Sequence, residues 1–296
     1  MNIKILCFYL TFQIYFVYGR SGKDWCHQKC DHPDQHIFCL VPDKIPHCSG
    51  FNDSLFNTYF RIQMLHIHND FRNKWAGGEW PRQTEKGFST VADMRLLTYD
   101  TQLEETANAH VLGCFDYHES CRVLDRFFYG QNFMLNRNTN KDAISDDLAS
   151  LQKELFDEFL DFPPSYVNPF RMISETAHFT QAAWSTTRLL GCAIGRYWSP
   201  APYREDFYEQ MLICNYGPSG NAQGKAMNKL GPPCSQCPEG TVCGYHQDYP
   251  NLCGGELSEE DLPYAWAKSS PKVLTGTYSS LFTITLILSN FVVHLP

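Results

Sequence analysis

The chain has no surplus of positive charge. Its 24 lysines and arginines are outnumbered by 32 aspartates and glutamates, which gives a formal net charge of -8. A nucleic-acid partner requires a basic face that neutralises phosphates, so this balance argues against one. The sequence also lacks a glycine-rich phosphate-binding loop and the Gly-x-Ser-x-Gly motif of many serine hydrolases. It contains no internal repeat, which argues against a solenoid or propeller.

Long apolar runs are scarce and lie near the two ends of the chain. At the start, Lys4 precedes an apolar stretch over 5–17 that ends in Val17-Tyr18-Gly19. This pattern is typical of a secretory signal peptide, and we expect cleavage after Gly19. The run is too short for a comfortable membrane span. The alternative to a signal peptide is a buried N-terminal strand or helix.

The second apolar run, 281–296, follows a polar spacer over 272–280 and the small residues Ser269 and Ser270. This order is typical of a GPI attachment signal, whose tail is removed when the lipid is added. We therefore expect membrane attachment through the C-terminus. A single C-terminal membrane span and a hydrophobic tail without a role are the alternatives.

Cysteine is abundant. The chain has thirteen, and Cys7 lies in the predicted signal peptide, which leaves twelve for the mature protein. An even number of cysteines in a secretory context predicts a disulfide framework and an extracellular location. Without the two ends about 250 residues remain, enough for one sizeable core and a small appended module.

Apolar residues at helical spacing predict three long helices. We expect these helices to begin near Asp53 or Ser54, near Thr101, and near Ser145 or Asp146, and the first and third to end at Gly77-Gly78 and before Pro163-Pro164. Their buried stripes are Phe56, Phe60, Met64, Ile67 and Phe71; Leu103, Ala107 and Val111; and Leu148, Leu151, Leu155 and Phe159. Thr101 with Glu104 three residues later predicts a capping box for the second helix.

A short helix is predicted over 175–185, and two β-rich runs follow over 189–198 and 208–216. Because a proline-containing turn region separates these runs, we expect antiparallel neighbours with Cys192 opposite Cys214. After Gly231 four cysteines fall within twenty residues, followed by an acidic stalk. These four allow three disulfide connectivities, and a zinc knuckle is the alternative that an oxidising compartment disfavours.

Four segments carry a resemblance to a known family. They are His-Asn-Asp-Phe-Arg at 68–72, Gly-Gln-Asn at 130–132, His-Phe-Thr-Gln-Ala-Ala-Trp at 178–184 and Cys-Asn-Tyr-Gly-Pro at 214–218. They resemble signature segments of the CAP superfamily (cysteine-rich secretory proteins, antigen 5, pathogenesis-related 1). The segment 26–30, with Cys39 and Cys48, is similar to the start of the insect antigen 5 or venom-allergen branch. The match covers about residues 25–221, and it implies an α+β fold, an α-β-α sandwich with a central sheet between helical layers.

The resemblance also implies a cleft that holds two histidines and two acidic side chains. By motif these residues are His118, His178 and Glu158, while the fourth position, a glutamate in many members, is Gln131. Two imidazoles and a carboxylate can bind zinc, but the amide of Gln131 removes one charge. We therefore expect no required cofactor and at most weak zinc. The alternative is a hydrogen-bonded polar cluster without metal.

The family resemblance further implies disulfide pairs. They are Cys26–Cys39, Cys30–Cys121, Cys48–Cys114 and Cys192–Cys214. Similarity to the hinge that follows the domain in cysteine-rich secretory proteins favours Cys234–Cys243 and Cys237–Cys253. Antigen 5 proteins usually lack this hinge, so we expect it to be a spacer or docking module outside the core.

Catalysis is the competing hypothesis for the cleft. Ser185 follows His178 by seven residues, and Glu158 is a candidate to orient a base. A serine at the end of a helix is more often a cap than a nucleophile, and sequence does not show a triad's geometry. The remaining histidines of interest, His66, His68 and His110, are expected to be hydrogen-bonded structural residues.

These observations define an expected organisation. It comprises a signal peptide (1–19), a disulfide-tied strap (20–53), the CAP domain (54–226), a cysteine-rich hinge (227–254), a stalk (255–280) and the hydrophobic tail (281–296). Asn52, in Asn52-Asp53-Ser54, is a predicted N-glycosylation site. We expect a secreted or surface-anchored protein that binds a protein partner or a lipid such as a sterol. A metal-dependent hydrolase using His118 and His178 is the alternative.

Overall fold

The computed structural model describes Cys30 and residues 35–41, 45–199 and 207–266. Its helices are α1 (Ile37–Leu40), α2 (Thr58–Gly77), α3 (Thr101–Gly113), α4 (Leu148–Phe156) and α5 (Ala177–Ala182). Its strands are β1 (Ser49–Asn52), β2 (Thr98–Tyr99), β3 (Gly130–Asn138), β4 (Leu189–Ser199), β5 (Phe207–Gly217), β6 (Val242–Cys243) and β7 (Cys253–Gly254). The predicted signal peptide, Cys26, Ser269, Ser270 and the C-terminal tail lie outside the described residues. Within the described ranges, no helix combines the length and apolarity that a membrane crossing requires.

The central sheet has five strands in the order β1-β4-β5-β3, and β2 pairs with β4 beside it. Strands β4 and β5 are antiparallel with Cys192 opposite Cys214, which confirms the predicted pairing. Strand β3 was not predicted, because its Gly-Gln-Asn start and polar end lack clear alternation. It pairs with β5 along its whole length, from Gly130 opposite Tyr216 to Asn138 opposite Tyr208.

The two faces of the sheet pack against different helices, as the period of two along a strand requires. On one face Leu190 and Leu212 join the apolar stripes of α2 and α4. On the other face Ala193 and Ile213 meet Ala107 and Val111 of α3. Helices therefore cover both sides of the sheet, which confirms the α-β-α sandwich.

Helix α3 approaches β4 so closely that one position requires glycine. A Cβ atom on Gly191 would clash with the backbone of Leu103 and Glu104. The absence of a side chain lets α3 lie directly on the sheet.

The predicted helices exist, and α3 begins at Thr101 as expected, whereas the first residues of α2, α4 and α5 differ from expectation. Helix α2 begins at Thr58, because the Asn57 side chain accepts hydrogen bonds from the Tyr59 and Phe60 amides. Helix α4 begins at Leu148 with Asp147 as its N-cap, and the short helix α5 spans less than the predicted range. In each case a side-chain cap or a preceding 3-10 turn, not the apolar stripe, sets the boundary.

The predicted capping box of the second helix was wrong. Asp100 caps α3 by accepting from the Leu103 amide. The Thr101 hydroxyl instead donates to the Tyr264 carbonyl, and Glu104 accepts from Arg61. Thr101 and Glu104 thus make tertiary contacts instead of satisfying the helix end.

Five disulfides join pairs of cysteines that both lie within the described ranges. They are Cys30–Cys121, Cys48–Cys114, Cys192–Cys214, Cys234–Cys243 and Cys237–Cys253. Cys39 is also disulfide-bonded; its expected partner Cys26 lies outside the described ranges. The sulfur atoms of Cys234, Cys237 and Cys253 lie within 4.8 Å of one another. They belong to disulfides, so they do not form the alternative zinc knuckle.

The hinge and residues 255–266 pack on the core, which corrects the expectation of a spacer outside the core and, for these residues, of a stalk. Tyr249 and Leu252 of the hinge lie in the aromatic core. Asp261, only 1% exposed, accepts from Arg126 and Arg188 at 2.7 and 2.9 Å. Arg126 also donates to Asp100 at the start of α3. This network attaches residues 255–266 to the core.

We predict that Asp261→Asn destabilises the protein by about 3 kcal/mol, because removing one partner leaves buried arginine charge poorly compensated. Hydrogen exchange measured by mass spectrometry should then increase across 255–266. The matched control is Glu260→Gln, which removes an exposed partner of Arg188 and should change stability little. Unchanged exchange in Asp261→Asn would show that the network does not hold this segment.

His68 is a structural histidine, as predicted. It is fully buried in α2, where Nδ1 donates to the Met64 carbonyl and Nε2 accepts from the Tyr216 hydroxyl, each at 2.8 Å. Burial is the main cause that lowers the pKa of His68 from 6.5 to about 4, and the charge of Arg72 acts in the same direction. The folded protein therefore holds this imidazole neutral.

The lowered pKa of His68 predicts a loss of stability in acid. Between about pH 6.5 and 4 the unfolded chain binds a proton at this residue that the folded protein does not. The stability is therefore complete above the upper value and falls, by on the order of 3 kcal/mol, as the pH drops to the lower one. Urea unfolding of His68→Gln should show a weaker pH dependence than wild type in this window. The exposed His47→Gln variant should retain the wild-type dependence; equal slopes in all three proteins would contradict the assignment.

Candidate functional site

Four separate elements supply the predicted cleft residues. His118 lies in the loop after α3, between Cys114 and Cys121, and each of these cysteines is bonded to the N-terminal strap. Gln131 is the second residue of β3, the strand at one edge of the sheet. Glu158 lies in the 3-10 turn Asp157–Asp161, and His178 is the second residue of α5. Disulfides and the sheet thus position one half of the site, and two helical segments position the other.

The two helical segments are held together by aromatic packing. Phe156 and Phe159 flank Glu158, and Phe156 stacks on Phe71 with ring centroids 4.1 Å apart. Phe159 contacts Phe179, the residue after His178, at 6.0 Å. All four rings are buried, so Glu158 and His178 project from a rigid base.

Glu158 uses both carboxylate oxygens on α5. Oε1 accepts from Nδ1 of His178 at 2.6 Å. Oε2 accepts from the backbone N–H groups of His178 and Phe179 at 3.1 and 3.2 Å. The carboxylate therefore orients the imidazole and satisfies two amide groups in the first turn of α5.

His118 is oriented by an amide instead of a carboxylate. Its Nδ1 lies 2.9 Å from Oε1 of Gln131. Because a carbonyl oxygen only accepts, Nδ1 carries the proton in this contact and Nε2 keeps its lone pair when the ring is neutral. Partial burial is the main cause that lowers the pKa of His118, and the charges of Arg122 and His178 act in the same direction, while the Gln131 hydrogen bond raises it.

The other end of the Gln131 amide is bound by a carboxylate that sequence reasoning did not assign. Glu119 is 5% exposed, and its Oε1 accepts from Nε2 of Gln131 at 2.7 Å. Its Oε2 accepts from the Tyr129 hydroxyl at 2.6 Å, and Nδ1 of His110 lies 3.2 Å from Oε1. Burial and this carboxylate raise the pKa of Tyr129 well above its usual value. The only sequence signal was the acidic residue next to His118.

Two further polar residues of the motifs, Asn215 and Asn132, link the sheet to α3 and to α5. Asn215 accepts from the Gln131 amide at 3.2 Å and donates to Thr106 of α3. Asn132, the neighbour of Gln131 on β3, donates to the His178 carbonyl at 3.0 Å. Adjacent residues of β3 therefore contact the two histidine-bearing segments. The Gln131 side chain binds the His118 ring, and the Asn132 side chain binds the backbone of His178.

The residues that the sequence grouped as metal ligands form two anchored pairs, Glu158 with His178 and Gln131 with His118. Within the described ranges, no three side chains of His, Asp or Glu bring ligand atoms within 4.8 Å of one another. Both oxygens of Glu158 are bound by N–H donors, and Gln131 supplies no charge. The donors left are the two Nε2 atoms, whereas zinc sites in proteins use three or four protein ligands. The donor set does not fit a resident zinc ion.

Ser185 is not placed for attack on a substrate by way of His178. Its side chain is 1% exposed, and its hydroxyl donates to Asp93 at 3.1 Å. No hydrogen bond links it to His178 in the part of the chain that the structure describes. Asp93 also accepts from the Lys229 amide, so this serine belongs to a structural network.

Asn52, the predicted glycosylation site, is exposed at the end of β1. Its side-chain oxygen accepts from the Ser54 amide at 2.8 Å. The residue is accessible to modification, and the glycan itself stays a prediction.

Comparison with known proteins identifies the family. Residues 65–216, about half of the 296-residue chain, match the sequence profile described as "CAP: Cysteine-rich secretory protein family". The chain therefore belongs to the CAP family. It is similar to a "Cysteine-rich venom protein" of Tityus serrulatus, with 35% identity over 193 residues that cover 64% of this chain and 44% of that one. It is also similar to "Venom allergen 5" of Rhynchium brunneum, with 28% identity over 71% of this chain and 91% of that one.

A solved structure supports the same assignment. "Na-ASP-1" shares 27% identity with a TM-score of 0.50, covering 65% of this chain and 46% of that chain. The chain spans only 44% and 49% of two matching proteins of Tityus serrulatus. The venom-allergen resemblance is confirmed, and activities of those longer proteins are not transferred.

The Gln131–Glu119 contact predicts that a glutamate at position 131 destabilises the protein. Gln131→Glu would place a second carboxylate against Glu119 and remove the amide donor. We expect a loss of about 2 kcal/mol or more in the free energy of unfolding at neutral pH. Chemical denaturation measures this loss. The double variant Gln131→Glu, Glu119→Gln re-creates one donor and one acceptor and should recover part of it; a fully stable single variant would contradict the geometry.

Proposed function

We propose that this CAP protein acts outside the cell by binding a protein partner and not by catalysis at the histidine cleft. The observation that carries the proposal is the state of the cleft's functional groups. Both oxygens of Glu158 are bound by N–H donors, and Gln131 is bound at both ends of its amide. A third metal ligand would need such a group to be free. Within the described ranges, no hydroxyl or thiol is hydrogen-bonded to the Nε2 atom of either histidine, as an activated nucleophile would be.

An extracellular location is supported by the disulfides. Five bridges in the described part of the chain tie the strap, the sheet and the hinge. Such frameworks form and persist in oxidising compartments and are rare in the cytosol. Secretion, with GPI attachment at Ser269 or Ser270, is part of this proposal.

A protein partner is favoured over a sterol by the character of the cavities. A cavity of about 690 Å³ is lined by Arg95, Arg188 and Asp261 together with apolar groups. A sterol's hydrocarbon frame would remove water from these charged groups and supply no acceptor to Arg95, which is costly. A protein partner needs no enclosed cavity.

The test separates binding from turnover in the purified protein. Proteins and lipids captured from extracellular fluid are identified by mass spectrometry, and peptide and ester libraries are assayed with and without added zinc. We expect capture of a protein and no turnover above buffer. The variants His118→Gln and His178→Gln should capture the same protein, because they lack imidazole chemistry but keep similar bulk.

Two results would overturn the proposal. One is turnover by the wild-type protein that is abolished in His178→Gln. The other is recovery of a sterol or another lipid in stoichiometric amount without a protein partner. Release from cells by a phosphatidylinositol-specific phospholipase tests the GPI anchor separately, since retention would favour a membrane span.

A further inference from the structure

A cavity lies between the CAP core and the hinge, away from the histidine cleft. Its volume is about 690 Å³, within the range of about 300–1,000 Å³ that small-molecule sites occupy. Arg95, Leu96 and Arg188 line it from the core, and Tyr245 lines it from the hinge. None of the four predicted cleft residues is among its lining residues, so the cavity is a separate feature.

The walls of this cavity are held in place from both sides. The Leu96 amide donates to the Cys253 carbonyl at 2.9 Å, and the Cys253 amide donates to the Met94 carbonyl at 2.8 Å. Cys253 is also bonded to Cys237 within the hinge. These contacts cross between core and hinge directly beside Arg95, so contacts within the protein hold the walls of the cavity in place.

Arg95 is a cationic group in this cavity whose side chain has no partner within the described ranges. Its guanidinium makes no hydrogen bond or ion pair in the described part of the chain, and its Nε is buried without an acceptor. Its backbone is fixed, because its carbonyl accepts two hydrogen bonds from Arg72. A half-buried guanidinium whose Nε lacks an acceptor costs stability that an anion would recover.

The neighbouring charges leave Arg95 uncompensated. Arg188 is already paired with Asp261 and Glu260, and Asp261 also binds Arg126. Burial is the main cause that lowers the pKa of Arg95, the positive charge of Arg188 lowers it further, and Asp261 raises it. The inner wall therefore carries positive charge that no described acid neutralises by direct contact.

The outer lining selects among anions. Glu239 and Glu256 are exposed lining residues, and Glu256 accepts from the Tyr245 hydroxyl at 2.9 Å. These acids repel a doubly charged phosphate more strongly than a singly charged carboxylate. Leu257 and the Tyr245 ring give the same cavity an apolar surface.

We propose that this cavity binds a small organic carboxylate. Its carboxylate pairs with Arg95, and its apolar body lies against Tyr245 and Leu257. The site does not depend on the function proposed for the histidine cleft, and it assigns a role to the contact between core and hinge.

The test uses dansylglycine, a fluorescent carboxylate, and its neutral amide as the matched probe. Titration of the purified protein should show saturable binding of dansylglycine and at least about tenfold weaker binding of the amide, as expected when a charged hydrogen bond is lost. Benzoate should displace the probe at lower concentration than inorganic phosphate. Equal binding of the two probes, absence of binding, or stronger displacement by phosphate would overturn the proposal.

Variants assign the effect to Arg95. Arg95→Gln should weaken dansylglycine binding by about tenfold or more and leave binding of the amide unchanged. Its thermal stability should not fall, because the substitution removes a half-buried charge without a partner. Arg171→Gln removes an exposed arginine outside the cavity and should bind like wild type. Unchanged affinity in Arg95→Gln would show that the charge is not the binding determinant.

Discussion

The buried guanidinium of Arg72 is the interaction on which the arrangement of the site depends. The side chain is fully buried in α2 and donates to the carbonyls of Arg95, Ala182, Trp184, Ser185 and Thr187. These carbonyls belong to the segment before β2, the end of α5 and the connection into β4. Burial lowers its pKa to about 9, which still leaves it charged at neutral pH. One cation therefore satisfies irregular backbone that no helix or sheet ladder pairs, as buried backbone requires.

This constraint links the two sites that we describe. The end of α5 must stay in place for His178 to face Glu158, and the Arg95 carbonyl must stay in place for its side chain to line the cavity. Arg72 holds both. The hinge then packs on the segment before β2, through the hydrogen bonds of Cys253 with Met94 and Leu96. The hinge is thus a structural part of the domain.

The sequence predicted an element correctly where the side chains of that segment share one role, such as packing in the core. Apolar spacing located α2, α3 and α4, and β-rich runs located β4 and β5 with Cys192 opposite Cys214. Strand β3 was missed because its polar side chains serve the site and the sheet edge. The Asp100 cap of α3 was missed because the sequence fits a capping box of Thr101 and Glu104 equally well. Contacts of Thr101 and Glu104 with distant residues decide which of the two caps forms.

The histidine cleft shows more clearly that sequence motifs do not reveal which side chains pair with one another. Family motifs identified His118, His178, Glu158 and Gln131, but the resemblance treated them as a set of ligands facing one point. Their pairing follows from tertiary contacts. Glu158 is occupied by the first turn of α5, and Gln131 faces a buried glutamate that no motif predicted. The substitution of glutamine for glutamate fits a site that already contains the carboxylate of Glu119.

The central claim is that the histidine cleft is a hydrogen-bonded cluster of two anchored pairs and not a metal centre. The most direct measurement is a calorimetric zinc titration of the purified protein at neutral pH. Our account predicts no stoichiometric binding when zinc and protein are present at comparable micromolar concentrations. Binding of one zinc ion per chain, lost in both His118→Gln and Glu158→Gln, would contradict it.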